Sequence, residues 1–213
     1  MSFNAHAEDR ERPETPPKPS SHVPFRCDSD FVERKTVLDQ IHQICSNPAS
    51  RAGLVGLGGV GKSQLAIEHA HRIKDEFMRE GKDIWVFWIH AETQARVEEG
   101  FKSIADAVKI PGRNRPGAGI LQLVHVWLHN KRNGRWLTIL DSANNIDVFC
   151  DNTDKAGQRT AEAEKKPLIA YLPQSSNGPT LIITRNKVLI GLRAAMMISS
   201  TSDRWTKSMP LHC

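Results

Sequence analysis

Four glycines within six residues, Gly56-Leu57-Gly58-Gly59-Val60-Gly61, followed at once by Lys62-Ser63, constrain this chain more than any other feature. A helix or strand interior does not tolerate that density, since each glycine costs about 0.5–1 kcal/mol there relative to alanine. The segment is therefore a loop. It follows a short apolar run, Ala52–Val55, and opens a stretch of helical spacing from Lys62 to about Phe77, which Gly81 stops. A glycine loop between a strand and a helix brings bare backbone N–H groups to the positive end of a helix dipole, where anions bind.

Residues 56–63 satisfy G-x-x-x-x-G-K-[ST], the phosphate-binding loop. Side chains at Gly56, Gly58, Gly59 or Gly61 would block the approach of phosphate oxygens to the main chain. Leu57 and Val60 complete the cradle, and Gln64 extends it into the first helical turn. Lys62 is expected to reach the β- and γ-phosphates, and the Ser63 hydroxyl to ligate Mg2+. The same glycines also fit the dinucleotide fingerprint, Gly56-x-Gly58-x-x-Gly61. That alternative wants an acid after the second strand; Glu92 is so placed but arrives late, and Lys62-Ser63 is left without a purpose.

The rest of the chain alternates in the same manner. Val37, Leu38, Ile41, Ile44 and Cys45 recur at helical spacing. Ile84–Ile89 is apolar on both alternating faces, as a strand inside a parallel sheet must be. Val97, Phe101, Ile104 and Val108 predict a helix, Pro111–Gly119 a loop, and Leu121, Val124 and Leu128 another helix. Trp136–Leu140 and Thr180–Thr184 are strands, Leu168–Leu172 a short helix, and Met196–Ser199 a candidate fifth strand. The pattern predicts an α/β, three-layer fold with a mostly parallel sheet and helices on both faces. The divisions are a disordered tail over 1–20, a linker and upstream helix over 21–50, the main domain over 51–195, and a tail over 196–213. Trp85, Phe87, Trp88 and Trp136 are expected in the core, because their strand neighbours are apolar.

Two strand ends carry charge. Asp141 closes Trp136–Leu140; downstream of a phosphate loop it is placed to hold Mg2+ through water, the Walker B role. Ser142 follows it, and a hydroxyl is no general base near neutral pH, so binding is expected with poor turnover. Arg185 ends Thr180–Thr184 and points at the γ-phosphate position if that strand neighbours the glycine loop's strand.

Composition narrows the alternatives. Of 29 Lys and Arg against 24 Asp and Glu, five cations fall in 185–213 against Asp203 alone, leaving the body nearly neutral. A basic face for nucleic acid is not expected. No apolar run approaches the ~18 residues of a membrane span. The N-terminus, with Glu8, Asp9, Glu11 and Glu14, lacks a secretory or transit pattern, which predicts a cytoplasmic protein with reduced cysteines. Cys27, Cys45, Cys150 and Cys213 have no metal-ligand spacing, and HExxH is absent.

The succession FVERKTVLDQI, LVGLGGVGKSQLA, a Trp-Ile-His strand, LTILDSA and GPTLIITRN resembles the NB-ARC domain, the nucleotide module of STAND-class P-loop NTPases, nearest the fungal NOD-like receptors. The resemblance covers roughly 24–195. It implies an ADP- or ATP-binding signalling switch in innate immunity, with Mg2+ and at most slow ATP hydrolysis. It implies that Val32 contacts adenine through its backbone, that Arg34 lies near the phosphates, and that Arg185 is the sensor 1 arginine reading the γ-phosphate. Full-length receptors or further copies of the same domain are the implied partners. Glu33 replaces the family's glycine, Ser142 its second acid and Asn144 a later one. The winged-helix motifs GLPLA and MHD are missing, as in a truncated form. Two other readings compete: an active P-loop ATPase or small-molecule kinase, and an interaction fragment without nucleotide binding.

Overall fold

The computed structural model describes residues 14–47, 49–150 and 166–187, and the backbone of strand Met196–Ser199. In chain order the elements are β1 (Ser21–His22), α1 (Lys35–Cys45), β2 (Arg51–Val55), α2 (Lys62–Arg79), β3 (Ile84–His90), α3 (Gln94–Ala107), α4 (Ile120–His129), β4 (Arg135–Asp141), β5 (Thr180–Thr184) and β6 (Met196–Ser199). A single turn of 3-10 helix covers Leu168–Tyr171. The strands form one sheet in the order β1-β3-β4-β5-β2-β6. Every pair is parallel.

Helices cover both faces, because each strand is apolar on both sides. On one face α1 and α2 pack over Ala52 and Leu54 of β2, Val86 and Trp88 of β3, Leu137 and Ile139 of β4, and Leu181 and Ile183 of β5. On the other, α3 and α4 pack over Trp85, Phe87 and Ile89 of β3, Trp136 and Leu140 of β4, and Ile182 of β5. The four aromatics expected in the core are all buried, and Trp136 donates its indole N–H to the Leu128 carbonyl at 2.8 Å. Among the described residues no helix is long and apolar enough to cross a membrane.

The structure bears out the candidate strand Met196–Ser199 and departs at both ends from the divisions drawn in the sequence. Ser21–His22 pairs with Val86–Phe87 as an edge strand, where a linker is expected. Glu14, assigned to a disordered tail, forms ion pairs with Arg113 at 2.7 Å and Lys109 at 3.5 Å. Residues 1–13 of that tail lie outside the described residues. At the other end β6 pairs with Ala52–Val55 of β2, so the sheet continues past residue 195; residues 200–213 lie outside the described residues. A two-residue polar strand carries no periodicity to read.

One buried charge anchors the approach to β5. Arg51, 2% exposed, donates to the carbonyls of Leu172 at 2.8 Å and Pro173 at 3.2 Å. Charge-assisted bonds of this kind replace the hydration lost on burial.

Candidate phosphate-binding site

In a parallel sheet all strand carboxyl ends lie on one edge, and ligands of open α/β sheets bind beyond it. Here β5 lies directly beside β2, with Val55 opposite Thr184, so Arg185 follows alongside Gly56. The neighbour condition set for Arg185 is met. On the other side of β5, Leu140 of β4 stands opposite Ile182.

Strand alternation then aims the side chains. Residues two apart share a face. Asp141 follows Ile139, and Arg185 follows Ile183; Ile139 and Ile183 both pack under α2. The carboxylate and the guanidinium therefore face the helix that carries Lys62 and Ser63 at its start.

The loop between β2 and α2 turns through two left-handed residues, Gly59 at φ 79° and Gly61 at φ 83°, and a Cβ at either would meet nothing within 4 Å. Their lack of side chains leaves open space above the main chain. At Gly58 a Cβ would lie 3.1 Å from the Arg185 guanidinium, so the arginine lies directly over the loop.

Lys62 bends back over the same loop. Its ammonium donates to the carbonyl of Gly56 at 2.9 Å and of Leu57 at 2.6 Å. Burial, and then the positive charge of Arg185, lower the Lys62 pKa, while Asp141 raises it. The Ser63 hydroxyl donates to Asp141 Oδ1 at 2.9 Å. Gly58, Gly59, Gly61, Lys62, Ser63, Gln64, Asp141, Asn144 and Arg185 surround a cavity of about 270 Å³. That is below the ~300–1,000 Å³ of sites enclosing a whole drug-sized ligand. It suits a chain of phosphates, with a base and sugar lying outside.

The residues fit the groups that the sequence implies. Mg2+ takes one or two protein oxygens and fills its octahedron with phosphate oxygens and water. Ser63 and Asp141 offer two oxygens at one point, and the open glycines, Lys62 and Arg185 offer donors for a polyanion.

Not every residue singled out in the sequence gathers here. Val32 is 80% exposed, and Arg34, immediately before α1, is exposed as well; neither lines the cavity. The segment is tied instead to the middle of α2, through an ion pair of Glu33 with Arg72 at 3.0 Å. Leu57 is 71% exposed and takes part only through its carbonyl. Gly56 likewise contributes a carbonyl, and Val60 does not line the cavity. Missed in the sequence is the holding of Arg185 by Asn144, whose Oδ1 accepts the Arg185 backbone N–H at 2.8 Å. The only sequence signal is an asparagine shortly after a strand-ending aspartate.

The dinucleotide alternative is overturned by strand order. That fold places the strand after the glycine turn next to the first, so that its terminal acid reaches the ribose. Here β5 and β4 separate β2 from β3, which leaves Glu92 far along the sheet edge.

A glycine loop leaving β2, a carboxylate ending β4 and an arginine ending β5, on one edge of a parallel sheet clad in helices, define the α/β fold of a P-loop NTPase. The comparisons with known proteins agree. The chain is 34% identical over 169 residues to a nucleotide-binding leucine-rich repeat (NLR)-like protein of the fungus Hyaloscypha variabilis. The match covers 77% of this chain and 16% of that protein, so the chain spans about a sixth of its relative's length. Among solved structures, the ORC1 protein of Aeropyrum pernix in complex with DNA superposes with a TM-score of 0.52 at 18% identity, covering 83% of this chain and 47% of that one. At that identity the likeness is one of fold. No protein-family model matches the chain.

Proposed function

We propose that this chain is the nucleotide-binding module of a STAND-type signalling switch. It binds ADP or ATP with Mg2+ and hydrolyses ATP slowly or not at all. The observation that carries the reading is the contact of Ser63 with Asp141 at 2.9 Å, beside a glycine loop flanked by Lys62 and Arg185. Each residue has a distinct task. The main chain of 56–63 receives the phosphates, and Lys62 neutralises them. Ser63 and Asp141 would hold the metal, which would supply positive charge to offset that of the phosphates. Arg185 lies where a terminal phosphate extends beyond the loop. Val32 and Arg34 serve the adenine side.

Slow turnover follows from the cavity's lining. Among the described residues that surround it, Asp141 is the sole carboxylate, and it is engaged at the metal position. No second acid stands ready to draw a proton from water, a contribution typically worth 10²–10⁴ in rate. The relative in Hyaloscypha is described as NLR-like, which supports the switch reading over a metabolic kinase.

Calorimetric titration with ADP and ATP, each with Mg2+, tests the proposal. Saturable binding below millimolar, with steady-state hydrolysis well under 1 s⁻¹, is expected. Absence of heat at millimolar nucleotide rejects it in favour of a fragment that binds no nucleotide. Turnover above ~1 s⁻¹, lost in Asp141→Asn, rejects it in favour of an active ATPase or kinase.

A further inference from the structure

The segment after β4 stays joined to the end of β5 by bonds that outlast the regular ladder. Pairing of the two strands reaches Leu140 opposite Ile182. Beyond that point the Ala143 N–H donates to the Ile183 carbonyl at 2.9 Å, and the Thr184 hydroxyl donates to the Ala143 carbonyl. The last rung differs in kind: the Arg185 N–H donates to the side-chain Oδ1 of Asn144 at 2.8 Å.

An amide oxygen thus stands where a strand carbonyl would stand. The main chain after β4 is able to turn away while the Arg185 backbone, just past the end of β5, stays bonded to it. The turn begins at Ser142, whose φ of 61° lies in the left-handed region, uncommon for a residue with a side chain. It closes with the Asn144 N–H donating to the Ser142 carbonyl at 2.7 Å. Ser142 directly follows Asp141, so the metal-side carboxylate and the arginine's rung belong to one short, bonded segment. Holding the Arg185 backbone matters because its guanidinium must stay on the face of Ile183, 3.1 Å from where a Cβ of Gly58 would lie.

We propose that Asn144 is a positioning residue, holding Arg185 over the glycine loop so that the site discriminates a nucleoside triphosphate from a diphosphate. This rests on the nucleotide site proposed above and adds the residue through which its selectivity is set.

The test is a double-mutant cycle read as the ratio of ADP to ATP dissociation constants in the full chain with Mg2+. Asn144→Ala is expected to shift that ratio against ATP by about fivefold, the size of one neutral hydrogen bond. Arg185→Ala shifts it the same way by at least as much. Adding Asn144→Ala to Arg185→Ala changes nothing further, because the asparagine acts only through the arginine. A purely structural role weakens both nucleotides alike and leaves the ratio unmoved. An unmoved ratio in Asn144→Ala overturns the proposal, as do independent, multiplying effects in the double variant. Should Asn144→Ala not fold, Asn144→Thr is close in size and keeps an oxygen one bond short of Arg185, so the same cycle applies. Failure of the unmutated chain to bind either nucleotide removes the underlying site and this proposal together. Binding of both nucleotides with a ratio insensitive to Asn144 removes this proposal alone.

Discussion

Ser63 and Asp141 lie 78 residues apart in the chain, and the hydroxyl of one donates to the carboxylate of the other at 2.9 Å. The contact exists because α2 starts from β2, while β4 stands beyond β5 on the same edge and ends on the face that α2 covers. In the proposed site this pair holds Mg2+. Asp141→Asn should therefore reduce the gain in nucleotide affinity that Mg2+ confers by about tenfold or more, roughly 1.4 kcal/mol. Titrations with the metal and with a chelator check this; an equal metal dependence in variant and unmutated protein removes Asp141 from the metal.

Lys62 donates to two carbonyls of its own loop, which keeps its ammonium poised at the cavity. Truncation to alanine is expected to weaken ADP and ATP binding by about 10- to 150-fold, matching ~1.5–3 kcal/mol for hydrogen bonds to a charged group. An unchanged dissociation constant places the phosphates elsewhere.

Gly61 and Gly58 should respond differently to alanine. Gly61 has φ 83°, a conformation that costs an L-residue about 1–2 kcal/mol, or about 2–8 °C in melting temperature for a chain of this size. At Gly58 the nearest atoms to an added methyl belong to the Arg185 guanidinium at 3.1 Å, the far end of a flexible side chain that is able to give by a few tenths of an ångström. Gly58→Ala should melt within about 2 °C of the unmutated protein. Equal losses in the two variants contradict the loop geometry.

His69 predicts an acid sensitivity remote from the site. It is buried between α2 and α1, its Nε2 has no hydrogen-bond partner, and its ring meets His42 at 6.2 Å. Burial first, then the charges of His42 and Arg72, push its pKa down to about 3. Glu76 lies 3.7 Å from the His42 ring, while Glu33 and Glu68 pair with Arg72, so the carboxylates nearby face partners other than His69. Between pH 3 and an unfolded value near 6.5 the unfolded chain binds a proton that the folded one refuses, so stability rises with pH. It is complete above about pH 6.5 and is lost on acidification at up to ~1.4 kcal/mol per pH unit. His69→Leu should flatten the dependence of urea midpoint on pH between 4 and 6.5; a slope equal to that of the unmutated protein contradicts this assignment.

Much of the architecture is written locally. Helical spacing ends where Ser46-Asn47 and Gly81 stand, and the helices end at Cys45 and Arg79. The glycine loop is legible without any fold, since only backbone freed of side chains is able to wrap an anion. Ser63 and Asp141 follow from the same chemistry. Asn144 was visible only as a replaced acid, because a side chain standing in for a strand carbonyl has no periodic signature. Val32 and Arg34 were assigned from resemblance, and their side chains lie at the surface, away from the cavity.

Residue order alone determined the strand–loop–helix character of 51–79, the burial of the strands on both faces and the identity of the charged residues at their ends. It did not determine which face those charges occupy. Leu137-x-Ile139-x-Asp141 and Leu181-x-Ile183-x-Arg185 alternate cleanly, yet the intervening Thr138, Leu140, Ile182 and Thr184 carry no charge and are buried as well, so alternation distinguishes no inside from outside. Only the path of α2, which crosses β5 and β4 on its way to β3, chose the face of Ile139 and Ile183. Strand order then set β5 beside β2 and brought Arg185 over Gly58. Both outcomes come from packing between segments far apart in the chain, α2 against β4 and β5 and β2 against β5, and local periodicity carries no information at that range.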